Sequence, residues 1–281
     1  MKKGVRLGFL LVTTAVFFFL DSLGHGAELE FLPESHHQRY QTYGLFIDNQ
    51  TSLIYRDGGR AWAAVAATVA LLGRKTPESS SQLVASASVN TAFRIDDGLN
   101  PETADARVDL TWDTSLAGDW LISAGYNHTS GHISDGVLAE DQSLSPLDVG
   151  IDSLPVRVIY NGNEFLRPGI TLKVLIFPSD PRSKLVSGNE FFEFYPWGHT
   201  KDTTRGTPYL AIGFEEYGHD RIELSFHGQL GAYFGNHRDS KRASSLRAVL
   251  GVYTGQDPRL KFYYGRNNRV TFGYLGLMMD L

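Results

Sequence analysis

The stretch from Asp119 to Asp135, DWLISAGYNHTSGHISD, reads as one β-strand. Gly125 and Gly131 flank Asn127 and Thr129 within it, which makes a helix improbable. Successive side chains on a strand point to opposite faces. Trp120, Ile122 and Ala124 therefore share a face with His128, Ser130, His132 and Ser134. An apolar row that ends in polar residues able to carry chemistry is the feature around which the rest of the chain is read.

From Trp62 onwards the same alternation recurs in segments of about ten residues, separated by clusters of Gly, Pro, Asn, Asp and Ser. Val108, Leu110 and Trp112 alternate with Arg107, Asp109, Thr111 and Asp113. Leu224, Phe226, Leu230 and Phe234 alternate with Glu223, Ser225, His227, Gln229 and Tyr233. In a soluble sandwich the apolar row would be the inner one; in an outer-membrane barrel it faces lipid and the charged row faces the lumen.

Three features favour the barrel. The segments match the ~9 to 11 residues of a tilted membrane-spanning strand. Aromatic residues stand near segment ends at Trp62, Trp112, Trp120, Tyr195, Trp197, Tyr217 and Tyr233, as an interfacial girdle requires. The sequence also finishes on an alternating strand, with Leu275, Leu277, Met279 and Leu281 on one face, although Leu281 stands where such barrels usually carry an aromatic residue. The expected fold is all-β: a closed antiparallel transmembrane β-barrel of about 12 strands, at 61–72, 82–96, 105–115, 119–133, 152–160, 167–177, 188–196, 207–217, 220–234, 244–254, 258–265 and 269–279. Counted this way, the long connection from Asp135 to Gly150 falls on the periplasmic side, against the usual asymmetry of loops. Either a strand near Ser52 to Arg56 belongs to the wall and another assignment is dropped, or the barrel has an unusually long inner turn.

Lys2, Lys3 and Arg6 precede an apolar run from Leu7 to Leu20 and small residues up to Ala27, the pattern of a secretory signal peptide over residues 1–27. Residues 28–60 are then expected as a periplasmic N-terminal arm and 61–281 as the barrel. There are no cysteines, so a disulfide-stapled secreted scaffold is excluded. The net charge of -5 is spread along the chain and gives no basic footprint for nucleic acid. After the signal, no apolar run is long enough to span a bilayer as a helix. The expected address is the cell outer membrane, with its lipids and its assembly machinery as partners and a monomer as the default state.

The histidine row admits several chemistries. On a regular strand His128 and His132 are ~13 Å apart, too far to share one ion, so no metal and no cofactor is expected. His128 and Ser130 are ~6.6 Å apart along the same face, within reach for an imidazole to activate a hydroxyl. Such an imidazole needs an acid to orient it, and Asp135, Glu140 and Asp141 follow closely in sequence. A simpler account is that the row, His132 included, sits at headgroup level and binds water or lipid phosphate. On the other face Arg107 and Asp109 stand among inward-pointing charges of both signs, with Arg94, Asp96, Arg157, Glu193, His227, Arg247, Arg259 and Lys261; these either line an aqueous channel or neutralise one another in a filled interior.

The string YNHTSGH, continued by Ile133, Ser134 and Asp135 on a strand opened by Gly118, Asp119 and Trp120, resembles the tyrosine and His-x-Ser-x-His signature of a family of uncharacterised Gram-negative outer-membrane proteins. The closing FGYLGLMMDL resembles that family's end. The resemblance implies a barrel and an outer-membrane address, and no activity. The His-x-Ser pair is also similar to one that some outer-membrane lipid A deacylases carry facing lipid, although Gly131 stands here where asparagine usually follows the serine. The function expected from the sequence is a passive or structural envelope protein, or a narrow pore; the alternative is a lipid-facing acyl-ester hydrolase acting on lipid A or phospholipid through His128 and Ser130.

Overall fold

The computed structural model describes residues 28–46, 48–76, 79–95, 98–116, 119–140, 149–178, 186–198, 206–218, 222–235, 245–259 and 269–280. The expected signal peptide lies outside them, as do Asp96, Asp141 and Lys261. Among the described residues thirteen strands run in chain order: β1 (Glu28–Phe31), β2 (Thr51–Arg56), β3 (Arg60–Lys75), β4 (Ser79–Arg94), β5 (Asn100–Leu116), β6 (Trp120–Ile133), β7 (Val149–Tyr160), β8 (Leu166–Pro178), β9 (Val186–Phe194), β10 (Thr207–Gly218), β11 (Ile222–Phe234), β12 (Ser245–Gln256) and β13 (Arg269–Asp280). One short helix, α1 (Asp135–Glu140), follows β6.

Each strand from β3 to β13 pairs antiparallel with the next, β13 pairs with β2, and β2 returns to β3. The sheet therefore closes as a twelve-strand barrel, β2 to β13. β1 is a short extra strand along the far end of β3, with Glu28 opposite Lys75. No helix among the described residues is long and apolar enough to cross a membrane; crossing is left to the strands. The alternation settles which way they face: Val65, Val108, Leu230, Leu250 and Leu275 are exposed on the outside, while Asp109, Asp113, Arg157, Glu193, His227 and Arg247 are buried within.

The strand count agrees with the expectation, but two members differ. β2 belongs to the wall. β12 pairs directly with β13 along its whole length, so nothing is inserted between them; Pro258 and Arg259 form a bend, and 260–265 lies outside the described residues. Adding a strand before β3 reverses the parity of every later connection. The wall's first and last strands, paired through Thr51 and Met279, begin and end at one rim, and the connection between β6 and β7 emerges at the other.

The expected arm at 28–60 is also corrected: after β1, the chain turns into the barrel. From Tyr40 to Phe46 and from Asp48 to Gln50 every residue is buried. A chain inside a polar lumen must satisfy its own peptide groups, and here the wall supplies the partners. Glu193 Oε1 accepts the Tyr43 amide at 2.6 Å and the Thr42 hydroxyl at 3.0 Å, while its other oxygen takes Arg167 at 2.8 Å and the Tyr195 hydroxyl at 2.7 Å. Arg157 donates to the Tyr40 carbonyl, and His227 Nδ1 lies 3.1 Å from the Gly44 carbonyl oxygen. Asp48 is flanked by Arg107 at 3.5 Å and Arg157 at 3.3 Å.

Aromatic packing seals the same segment. The Tyr43 ring lies 4.6 Å from that of Tyr209 and under the Arg247 guanidinium, and Phe46 packs edge-on against Trp62, Phe272 and Tyr274. Trp62, Tyr195 and Tyr233 therefore belong to the luminal core rather than to an interfacial girdle, whereas Trp120 and Trp197 are exposed. Gly44 crosses the wall at Gly213 so closely that a Cβ on Gly213 would meet the Gly44 carbonyl oxygen at 1.7 Å. Only glycine permits that approach.

Replacing Glu193 by alanine leaves the Arg167 guanidinium buried without its counter-charge and three other luminal donors, the Tyr43 amide and the Thr42 and Tyr195 hydroxyls, without that acceptor. The expected cost is about 3–5 kcal/mol, read as a lower urea midpoint for loss of the compact, heat-modifiable band in detergent.

Candidate lipid-facing site

β6 presents Leu121, Ser123 and Asn127 to the lumen and Trp120, Ile122, Ala124, Tyr126, His128, Ser130 and His132 to the outside. His128 lies opposite Asp152 of β7 in the register. Its Nδ1 is 2.9 Å from Asp152 Oδ1, and the Tyr126 hydroxyl donates to the same oxygen. A carboxylate can only accept, so the shared contact assigns the imidazole proton to Nδ1 and leaves Nε2 as the basic nitrogen. The side chains of His128 and Asp152 are 41% and 21% exposed, so the pair stands open on the outer surface instead of within the wall. Around it are Val108, Leu110 and Val156, all exposed and apolar.

The next rung sets Ser130 opposite Gly150. A Cβ on Gly150 would lie 3.8 Å from His128 Cε1, so the imidazole edge leans over the Ser130 rung, where Gly150 offers no side chain to block it. Asp152, His128 and Ser130 thus follow one another across two adjacent rungs of the outer face.

Local backbone features converge here. The β6–β7 pairing stops at Ala124 with Val156 and resumes at Asn127 with Ser153; between them Pro155 has no amide hydrogen to donate. On the other side of β7 the register against β8 shifts between Asp152 and Ser153, a β-bulge of the kind that re-aims a side chain. β6 also presses on β5 where a Cβ on Gly125 would meet the Leu110 carbonyl oxygen at 2.1 Å.

The other residues singled out in the sequence fall elsewhere. Ser134 caps α1, its hydroxyl accepting the Val137 amide at 3.3 Å. Asp135 is exposed in the first turn of that helix. Glu140 takes both terminal nitrogens of Arg94 at 2.8 Å, and this hydrogen bonding holds its carboxyl below the usual range. Arg107 and Asp109 face the lumen, where they hold Asp48 and Asn49. His132 is exposed on the outer face, one rung beyond Ser130. No cluster of three or more potential metal ligands occurs among the described residues.

The carboxylate that meets His128 is therefore Asp152, which is distant in sequence and was not singled out. One signal for it was present: Asp152 interrupts the lipid-facing row of Leu154, Val156 and Val158 on a strand adjacent to β6.

A closed twelve-strand barrel with apolar exterior rows and charged interior rows has the fold of the outer-membrane β-barrels. The chain resembles Escherichia coli outer membrane phospholipase A in an active-site asparagine-to-alanine variant, with 16% identity and a TM-score of 0.55 over 85% of this chain and 93% of that one. It also resembles the Salmonella typhi outer membrane phospholipase dimer with bound calcium, at 13% identity and a TM-score of 0.53 over 86% and 96%. The KdgM porin aligns at 10% identity and a TM-score of 0.47, over 83% and 98%. No family model and no curated protein matches the sequence, so the resemblance to an uncharacterised family rests on its motifs. At these identities the likeness establishes the fold.

The two acids near the site separate cleanly by substitution. Glu140→Ala removes an exposed pair and is expected to leave the urea midpoint nearly unchanged. Asp152→Ala is expected to abolish the protected His128 Nδ1 proton signal in histidine-labelled protein, with Glu140→Ala leaving that signal in place.

Proposed function

We propose that the chain is a lipid-facing serine hydrolase of the outer membrane that cleaves acyl esters of membrane lipids, with Ser130 as nucleophile, His128 as general base and Asp152 as the group that orients it. The observation that carries this reading is the His128–Asp152 contact on the outer surface of the barrel, one rung from the half-buried Ser130. A carboxylate and an imidazole in an apolar row are costly in hydrocarbon, and a catalytic pair working at the headgroup boundary gives them a purpose. The acid proposed for the triad is Asp152 in place of Asp135 or Glu140.

His128 Nε2 takes the Ser130 proton as Oγ attacks the ester carbonyl, and the imidazolium, held by Asp152, returns it to the departing alcohol. The acyl group remains on Ser130 until water, activated by the same imidazole, releases it as a fatty acid. Tyr126 holds the second lone pair of the Asp152 oxygen and fixes the carboxylate's direction. With the wall's ends at the periplasmic rim, the site faces the outer leaflet, three residues from the end of β6. Residues 1–27 act as the export signal in this reading.

The fold does not decide between roles, because barrels of this kind host both porins and phospholipases among the similar structures. The filled lumen weighs against a narrow pore.

Mass spectrometry of lipid A and phospholipids from cells expressing wild type, Ser130→Ala and His128→Ala tests the reading. Wild type is expected to release fatty acid and accumulate deacylated lipid, and each variant to lose at least a thousandfold in rate. Identical lipid profiles in all three, together with unit conductance steps in planar bilayers, would instead make the protein a pore.

A further inference from the structure

The outer face of β6 is not held in place by its backbone ladder alone. Beside the His128–Asp152 rung the β6–β7 ladder is interrupted opposite Pro155, and the β7–β8 register slips at Asp152 and Ser153. A strand pair weakened on both sides would let the two catalytic side chains drift by ångströms, which proton transfer does not tolerate. What ties the strands together at this level lies on the opposite face, in the lumen.

Asn127, the residue before His128, is buried with its amide in the middle of a polar node. Its Nδ2 donates to Asp109 Oδ1 of β5 at 2.6 Å, and its Oδ1 accepts from Ser153 of β7 at 3.3 Å and from Thr129 at 3.2 Å. Ser153 is the residue after Asp152. One side chain therefore ties β5, β6 and β7 at the point where the β6–β7 ladder resumes. The node extends inwards: Asp109 also accepts from Arg107 at 2.8 Å and from Asn49 of the luminal segment, and Asn49 is fixed by Ser86 at 2.8 Å and Ser88 at 3.0 Å on β4. All these side chains except Arg107 and Thr129 are nine-tenths or more buried.

We infer that Asn127 is a positioning residue for the outward-facing site: through its luminal bonds to Asp109 and Ser153 it sets the spacing of His128 and Asp152 across the wall, and the inserted N-terminal segment, through Asn49, braces the same node. The hydrolase site is thus built from both sides of a single sheet, and filling the lumen serves the chemistry outside it. The inference rests on the proposed hydrolase reading for its kinetic consequence, but its structural content is independent of any substrate.

Two measurements on refolded full-length protein in detergent test it. With a short-chain phospholipid as probe, Asn127→Ala is expected to lower kcat at least tenfold with KM within twofold, and Asn49→Ala to lower kcat about threefold. In histidine-labelled protein, the His128 Nδ1 proton resonance is expected in wild type and to be broadened or lost in Asn127→Ala, while the heat-modifiable band shows the barrel still closed. If Asn127→Ala does not fold, Ser153→Ala replaces it, since it removes one bond of the node and leaves Asn127 with Asp109; a smaller loss in the same two readouts is then expected. An unchanged resonance with unchanged kcat in a folded variant would overturn the inference, and a fall in KM-dependent binding alone would overturn it as well. Should wild type hydrolyse nothing, the hydrolase reading fails, and the resonance still decides whether Asn127 sets the His128–Asp152 contact.

Discussion

A peptide group facing hydrocarbon without a hydrogen-bond partner costs several kcal/mol, and this one penalty shapes the whole chain. It forces the strands to close, β13 onto β2 and β2 onto β3, so that no long edge is left in the wall. Closure in turn creates an interior lined by one side of every strand. Because the outer rows are largely apolar, that interior receives much of the wall's charge, among it Asp109, Arg157, Glu193 and Arg247, and an enclosed set of charges has to be neutralised or wetted.

The chain resolves this by filling the barrel with its own N-terminal segment. Thr42, Tyr43, Asp48, Asn49 and Gln50 supply partners that the wall residues could not reach across the lumen to find in one another. The Arg167–Glu193 pair is almost wholly removed from solvent and illustrates the logic: the two charges face each other, one carboxylate oxygen also takes the Tyr195 hydroxyl, and the other goes to Thr42 and Tyr43 of the inserted segment. Such an arrangement is specific more than it is strong. It dictates where the segment lies, and the close passage of Gly44 over Gly213 leaves no slack for another path.

The same wall then does two different jobs on its two faces. Inside β6, Asn127 belongs to a buried polar network; outside, His128 and Asp152 meet beside Tyr126 on a face that is otherwise largely apolar. The period of two makes this juxtaposition unavoidable, because adjacent residues on a strand must face opposite media. A buried network one residue away from the His128–Asp152 pair is an efficient way to hold that pair on the outer face, where few other groups are available to do so.

Much of this was legible in the residues themselves. Alternation between apolar and charged positions, repeated at a length that crosses a bilayer, pointed to a closed barrel of about twelve strands and assigned Asp109, Glu193, His227 and Arg247 to its interior, because side-chain direction on a strand follows from parity alone. Parity also placed His128 and Ser130 on the outer face. Pairing between strands distant in sequence obeys no local pattern, and so only the tertiary structure decided that β2 completes the wall, that residues 40–46 and 48–50 are buried in the lumen, that Trp62, Tyr195 and Tyr233 look inwards, and that the acid meeting His128 is Asp152 while Glu140 is taken by Arg94. Register, not sequence proximity, brings a carboxylate twenty-four positions away to within 2.9 Å of the imidazole.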